Sequence, residues 1–179
     1  MEKKNKLNHP AFKISAIIIF TGLCALVTAV VVIPIPKTSG YINLVDALVY
    51  FTGFLFGPFT GFLSGGLGPA FADIGLGYTV WAPWSVLAHG LQGLVAGLLS
   101  YVLRRKETIP LPAYIITGVI GTIVMVGTYF IGGTVIEGAA ASAAQIPFNI
   151  IQSVIGIIIA LPLVKAVQAA YPPVKDYLF

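Results

Sequence analysis

Charge is what this chain has least of. Only 9% of its residues are Asp, Glu, Lys or Arg, against about 25% in an ordinary soluble domain. A surface so poor in charge cannot be held in water, which excludes a soluble globular fold and leaves lipid as the solvent. Cysteine is nearly absent as well. Cys24 stands alone inside an apolar run, so an intrachain disulfide and a cysteine-pair metal site are both excluded. It reads as a small buried hydrophobe. Histidine is limited to His9 and His89, and no histidine–glutamate zinc motif is present. No glycine-rich phosphate loop ends in lysine, so the chain does not hydrolyse ATP itself. There is no nucleophile elbow. No series of acidic or arginine residues runs through the apolar segments as in many pumps. Catalysis and autonomous ion-driven transport therefore lack their residues, and binding is what remains.

What is present is hydrophobic. Apolar residues make up 58% of the 179, and mean hydropathy is +0.96. One crossing takes about 20 residues, so about six crossings consume nearly the whole chain. The expectation is a single membrane domain, 1–179: an all-α bundle of six helices behind a cytoplasmic tail, 1–12. The predicted helices are 13–33, 44–56, 59–74, 84–103, 113–131 and 147–169. Pro34 and Pro36 close the first, since proline cannot continue the hydrogen-bond ladder. Lys37 to Tyr41 reads as a turn-like loop, and Gly57-Pro58 as a tight reversal. Gly57, Gly61 and Gly65 recur at helical spacing, which lets backbones approach closely. Residues 132–145 read as a longer connection of small residues, with Pro147 opening the last helix.

Net charge is +4, yet the basic residues sit at segment edges, so orientation explains them better than nucleic acid does. With the N-terminus inside, Lys3, Lys4, Lys6, Lys13, Arg104, Arg105, Lys106, Lys165 and Lys175 all fall on the cytoplasmic side. Only Lys37 falls outside. That is the positive-inside pattern, and it favours an even number of crossings with both termini cytoplasmic.

The same topology sorts the polar residues toward the outer ends. Asn43 and Asp46 open the second helix, and Asp73 closes the third. Trp81, Trp84, His89 and Gln92 occupy the loop and outer half of the fourth. Tyr129 lies near the outer end of the fifth and Glu137 in the loop after it, and Asn149 and Gln152 share a face of the sixth. A polar group in hydrocarbon without a partner costs several kcal/mol, so these groups are expected to face one another around a cavity reached from outside. Each has a plainer role open to it. Asp46 and Asp73 suit helix capping as well as ligand contact. Trp81 and Trp84 suit interface anchoring, and Asn149 and Gln152 suit interhelical bonding. Glu137 suits a solvated loop. His89, titratable within a span, is a functional candidate by default. Tyr41 and Tyr78 add rings that can stack on a flat ligand.

Five stretches together resemble a known family. They are Gly40-Tyr-Ile-Asn-Leu-Val-Asp46, Phe56-Gly-Pro-Phe, Gly65-Gly-Leu-Gly-Pro-Ala-Phe-Ala-Asp73, Gly77-Tyr-Thr-Val-Trp-Ala-Pro83 and Ile146-Pro-Phe-Asn-Ile-Ile-Gln152. They look like the S components, the substrate-binding subunits, of energy-coupling factor (ECF) vitamin importers, in the riboflavin and hydroxymethylpyrimidine branch. The resemblance implies a subunit of the bacterial cytoplasmic membrane that captures a vitamin outside. It implies assembly with a transmembrane coupling subunit and two cytoplasmic ATPases, with no cofactor, no metal and no enzymatic activity of its own. Family members dock through an Ala-x-x-x-Ala pattern in the first helix. Ala25-Leu-Val-Thr-Ala29 fits it, with Gly22 nearby. Where the branch often carries lysine in the fourth helix, this chain has His89, with Gln92 one turn later. The implied ligand is hydroxymethylpyrimidine, pyridoxine or riboflavin. The same role for cobalamin, pantothenate or a queuosine precursor is the alternative. From other classes, a stand-alone facilitator would need a continuous polar path, and a small membrane enzyme would need a nucleophile–base set.

Overall fold

A computed structural model describes residues 10–104 and 109–177. Its elements are α1 (Pro10–Val30), β1 (Ile33–Pro34), β2 (Tyr41–Ile42), α2 (Val45–Leu76), α3 (Ala82–Val102), α4 (Leu111–Glu137) and α5 (Ala139–Ala170), followed by a short 3-10 helix, Pro172–Tyr177. All five α-helices are long and apolar enough to cross a membrane. Large apolar side chains are exposed on their outer faces, among them Ile18 on α1, Ile123 on α4 and Ile158 on α5. In lipid this arrangement is the stable one, because the helices satisfy their own backbone groups.

α2 is not one rod. Gly57 sits at φ 82°, ψ −178° inside it, a conformation essentially restricted to glycine. In an unbroken helix Val49 and Gly65 would be about 24 Å apart at 1.5 Å per residue. Instead a Cβ placed on Gly65 would lie 3.1 Å from Val49 Cγ1, so the chain folds back into two helical arms, 45–56 and 58–76. Glycines make this compactness possible. A Cβ on Gly61 would stand 2.5 Å from the Gly93 carbonyl oxygen, and one on Gly53 would stand 2.8 Å from the same oxygen. The α2 hairpin thus meets α3 backbone to backbone. α2 also packs on α1 and α5, and α4 bridges α3 and α5.

Three expectations need correction. Residues 132–145 are not a loop: α4 continues to Glu137, and α5 begins at Ala139 with Gly138 alone between them. The small residues there pack rather than break. Gly132 faces the Trp84 ring, Gly133 faces Ser142, and the alanines after Gly138 are strong helix formers. Pro147 consequently lies inside α5 instead of opening it. The first helix spans Pro10–Val30 rather than 13–33, because Ile33–Pro34 leaves it to pair antiparallel with Tyr41–Ile42. The loop from Lys37 to Tyr41 is the tip of that two-stranded ribbon, with Lys37 at φ 63°. Residues 1–9 lie outside the described residues, as do Arg105 and Lys106, so Lys3, Lys4 and Lys6 have no described position; the same holds for the side chain of Lys175.

The two ends of the bundle differ. At one end Tyr50, Phe51, Phe54, Leu55, Tyr114 and Val164 form an apolar core, joined by Ile109 and Val174. At the other end buried polar residues gather: Asn43, Asp46, Asp73, Ser85, His89, Gln145, Asn149 and Gln152. Because the crossing is made of backbone, it cannot yield by rotamer change. Gly93→Ala is therefore expected to cost about 1–3 kcal/mol through overpacking. The check is a lowered melting temperature of the purified protein in detergent. Gly127→Ala, where a Cβ meets nothing within 4 Å, is the control and stays near wild type.

Candidate functional site

The polar end encloses a cavity of about 20 Å³, lined by the ribbon, α2, α3, α4 and α5. That is room for about one water, so a larger guest must displace the cover. One wall is Asp73, at the end of the second arm of α2. Its Oδ1 accepts a hydrogen bond from Tyr41 Oη at 2.5 Å, and its Oδ2 accepts one from Ser85 Oγ at 2.5 Å. The single Ser85 hydrogen is thereby used, so Tyr129 Oη donates to Ser85 Oγ at 2.8 Å. Tyr41 also stacks on Tyr78, ring centroids 4.7 Å apart. Burial first, and then the bond to Asp73 and its charge, push the Tyr41 hydroxyl well above its ordinary range, which keeps it a donor.

The floor is His89. Its Nδ1 lies 3.2 Å from Gln92 Oε1 and 3.4 Å from Asp46 Oδ1. Behind it runs a buried polar chain. Gln92 Nε2 donates to Ser153 Oγ at 3.0 Å, Ser153 reaches Tyr50 Oη at 2.9 Å, and Tyr50 donates to the Gly118 carbonyl at 2.9 Å. Neither carboxylate oxygen of Asp46 has a hydrogen-bond partner among the described residues.

The roof is the ribbon and the α4–α5 junction. Glu137 Oε2 accepts from Ser39 N at 2.8 Å and from Ser39 Oγ at 2.7 Å. Trp81 Nε1 donates to Ser39 Oγ, and Gln145 Nε2 donates to Glu137 Oε1. Gln152 Oε1 accepts from Asn43 N at 2.7 Å, and Asn43 Oδ1 in turn accepts from Val45 N. Asn149 lines the cavity, is only 5% exposed, and makes no side-chain hydrogen bond among the described residues.

A family model for the ECF-type riboflavin transporter S component matches residues 10–169, nearly all of this bundle. The chain belongs to the ECF S-component family. This S component is 29% identical over 157 residues to the thiamine precursor transporter HmpT of Lactococcus lactis subsp. cremoris, covering 87% of each chain. It is 36% identical over 132 residues to an uncharacterized protein of Pyrococcus woesei, covering 74% of this chain and 85% of that one. Its fold matches the solved structure of the S component of a bacterial ECF transporter, with TM-score 0.66 at 19% identity, over 90% of this chain and 98% of that one. The protein is thus a multi-pass, membrane-embedded transport component.

Of the expected site residues, the structure brings Tyr41, Asn43, Trp81, His89, Asn149 and Gln152 to the cavity wall. Asp46 and Gln92 stand behind His89 rather than on the wall. Three others stand off the cavity wall. Tyr78 is a backing ring for Tyr41, Trp84 fills the slot that Gly132 leaves on α4, and Glu137 holds the roof without lining the cavity. Asp73 and Tyr129, placed toward the outer ends by topology alone, prove to be wall residues. Ser85 and Gln145 are new. Both carry a signal at helical spacing: Ser85 is one turn before His89, and Gln145 one turn before Asn149. On α1 the structure leaves Gly22 in open space and Ala29 exposed, while Ala25 borders Gly68 of α2.

The roof depends on one carboxylate. Glu137→Ala removes the acceptor shared by Ser39 and Gln145, and is expected to speed amide exchange across residues 37–42 roughly ten-fold. Hydrogen-exchange mass spectrometry checks this, with exchange inside α3 unchanged.

Proposed function

We propose that this S component captures a small vitamin or vitamin precursor from outside the cell and delivers it to an ECF import machine. Hydroxymethylpyrimidine, pyridoxine and riboflavin are the leading ligands, and cobalamin, pantothenate or a queuosine precursor would use the same role. One observation carries the reading: an otherwise apolar bundle concentrates buried amides, aromatic rings, a histidine and a carboxylate around one cavity at a single end. The relative that transports a thiamine precursor supports a pyrimidine in particular. Trp81, Tyr41 and Tyr129 supply ring faces, and Asn149 offers an uncommitted amide.

In this reading the chain is a single membrane domain. The two arms of α2 count as two spans, which gives six crossings and places both termini in the cytoplasm. The basic residues at the apolar end support that orientation. ATP hydrolysis falls to two cytoplasmic ATPase subunits, joined through a transmembrane coupling subunit. Gly22 and Ala29, open on α1, with Ala25 between them, form the small-residue stripe that lets the coupling subunit approach closely.

The direct test is mass spectrometry of small molecules that co-purify with the protein, followed by titration monitored through Trp fluorescence. Absence of any bound or titratable vitamin sinks the reading, and uptake that persists without ATPases favours a stand-alone facilitator. Asn149→Leu breaks no hydrogen bond within the protein, so the fold is expected to hold while affinity falls roughly 10- to 100-fold. Calorimetric titration of the variant measures it. Gly22→Leu and Ala29→Leu are expected to abolish co-purification with the coupling subunit and to leave vitamin affinity unchanged.

A further inference from the structure

The cavity has a sign. Among the described residues, no lysine or arginine lines it. Asp73 is a wall residue, Asp46 stands directly behind His89, and Glu137 holds the roof. Among the described lining residues His89 is the one that can carry positive charge, and it already faces Asp46 at 3.4 Å. With the carboxyl groups of Asp46 and Asp73 both ionised, a single imidazolium cannot offset them, and among the described residues no fixed cation lines the pocket for an anion to meet. Both acids are almost wholly buried, at 0% and 1% exposure, so water screens little of this field.

The hydrogen bonds fix which atoms face a guest. Nδ1 of His89 is flanked by two acceptors, Gln92 Oε1 and Asp46 Oδ1, so it must carry the hydrogen. Gln92 presents Oε1 to that nitrogen because its Nε2 is turned to Ser153 Oγ. The ring nitrogen left for the cavity is therefore Nε2, which is an acceptor in the neutral ring. Asp73 adds spare acceptor lone pairs on the same wall, beyond the two that Tyr41 and Ser85 use. The α5 part of the lining has Asn149 with its amide uncommitted. There Gln152 has its oxygen engaged by Asn43 N, which leaves its Nε2 hydrogens to donate.

Resting on the vitamin-capture reading, we infer that the site selects a neutral or cationic heteroaromatic that offers N–H or O–H donors to Asp73 and His89, and that it rejects anions. Asp73 on α2 and His89 on α3 read donors, and the α5 amides read an acceptor on the ring. Asp46 and Gln92 are positioning residues: they set the His89 tautomer without touching the guest.

The experiment uses the full chain in detergent and three scaffolds, hydroxymethylpyrimidine, pyridoxine and riboflavin. Each carries a primary alcohol that can be replaced by a near-isosteric carboxylate or by an aminomethyl group. Calorimetry at neutral pH compares alcohol, amine and acid on the scaffold that binds. The acid is expected to bind on the order of 100-fold more weakly than the alcohol, as for an anion brought beside a buried carboxylate. The amine is expected to bind at least as well as the alcohol. In Asp73→Asn the alcohol-to-acid gap should shrink to about ten-fold, a ratio that a mere folding defect does not move. An acid that binds wild type within about three-fold of its alcohol overturns the inference and leaves vitamin capture standing. A gap unchanged in Asp73→Asn overturns the role given to Asp73. Failure of all three scaffolds to bind overturns this inference together with the three leading ligands of the capture reading. The wild-type comparison needs no variant, so a poorly folding Asp73→Asn does not blunt the test.

Discussion

Hydrocarbon offers no hydrogen bonds, and the whole architecture answers to that fact. Every polar side chain placed between these helices must find a partner inside the protein or remain at a cost of several kcal/mol. Spread evenly, such groups would leave many isolated debts to the solvent. Gathered at one end, several of them satisfy one another: Asp73 with Tyr41 and Ser85, Gln152 with Asn43, Gln92 with Ser153, while Asp46 and Asn149 keep polar atoms unbonded among the described residues. The opposite end is free to be filled by Tyr50, Phe54, Leu55 and Val164. The separation of a rigid apolar base from a polar chamber follows from the solvent before any ligand is considered.

Close packing turns that separation into a defined geometry. The reversal at Gly57 lays the two arms of α2 beside each other, and Gly61 and Gly93 let them meet α3 at backbone distance. Asp73 on the second arm then stands beside Ser85 on α3, and Asp46 on the first arm beside His89. Tyr50 ties the first arm to α4 and α5 through Gly118, Thr122 and Ser153. The polar groups are therefore held by elements that cannot slide without opening several contacts at once.

Much of this was legible in the residues. Long apolar runs, the Gly57-Pro58 break and the crowding of polar residues toward one end all follow from composition and spacing, and the five matching stretches point to the family. The junction of α4 and α5 was not legible. Glycine pairs and a proline are strong local breakers, yet Gly132 and Gly133 serve as seats for Trp84 and Ser142, and Pro147 is tolerated within α5. That error hid Gln145, which precedes Asn149 by one turn on a helix the local signals do not reveal. Trp84 misled in the opposite way, since its proximity to Trp81 along the chain says nothing of which neighbour will have room for its ring. Tertiary packing decides both, and it cannot be read from one segment alone.

The single residue between α4 and α5 has a consequence for register. Gly138, at φ 91° and ψ 159°, is the whole connection between two long rods. Gln145, Asn149 and Gln152 form one stripe whose bearing is set from that point. Adding one residue at the start of α5 would swing the stripe by about 100°, carrying all three amides away from the chamber together. The one-residue joint between α4 and α5 is thus one whose length is not free to drift.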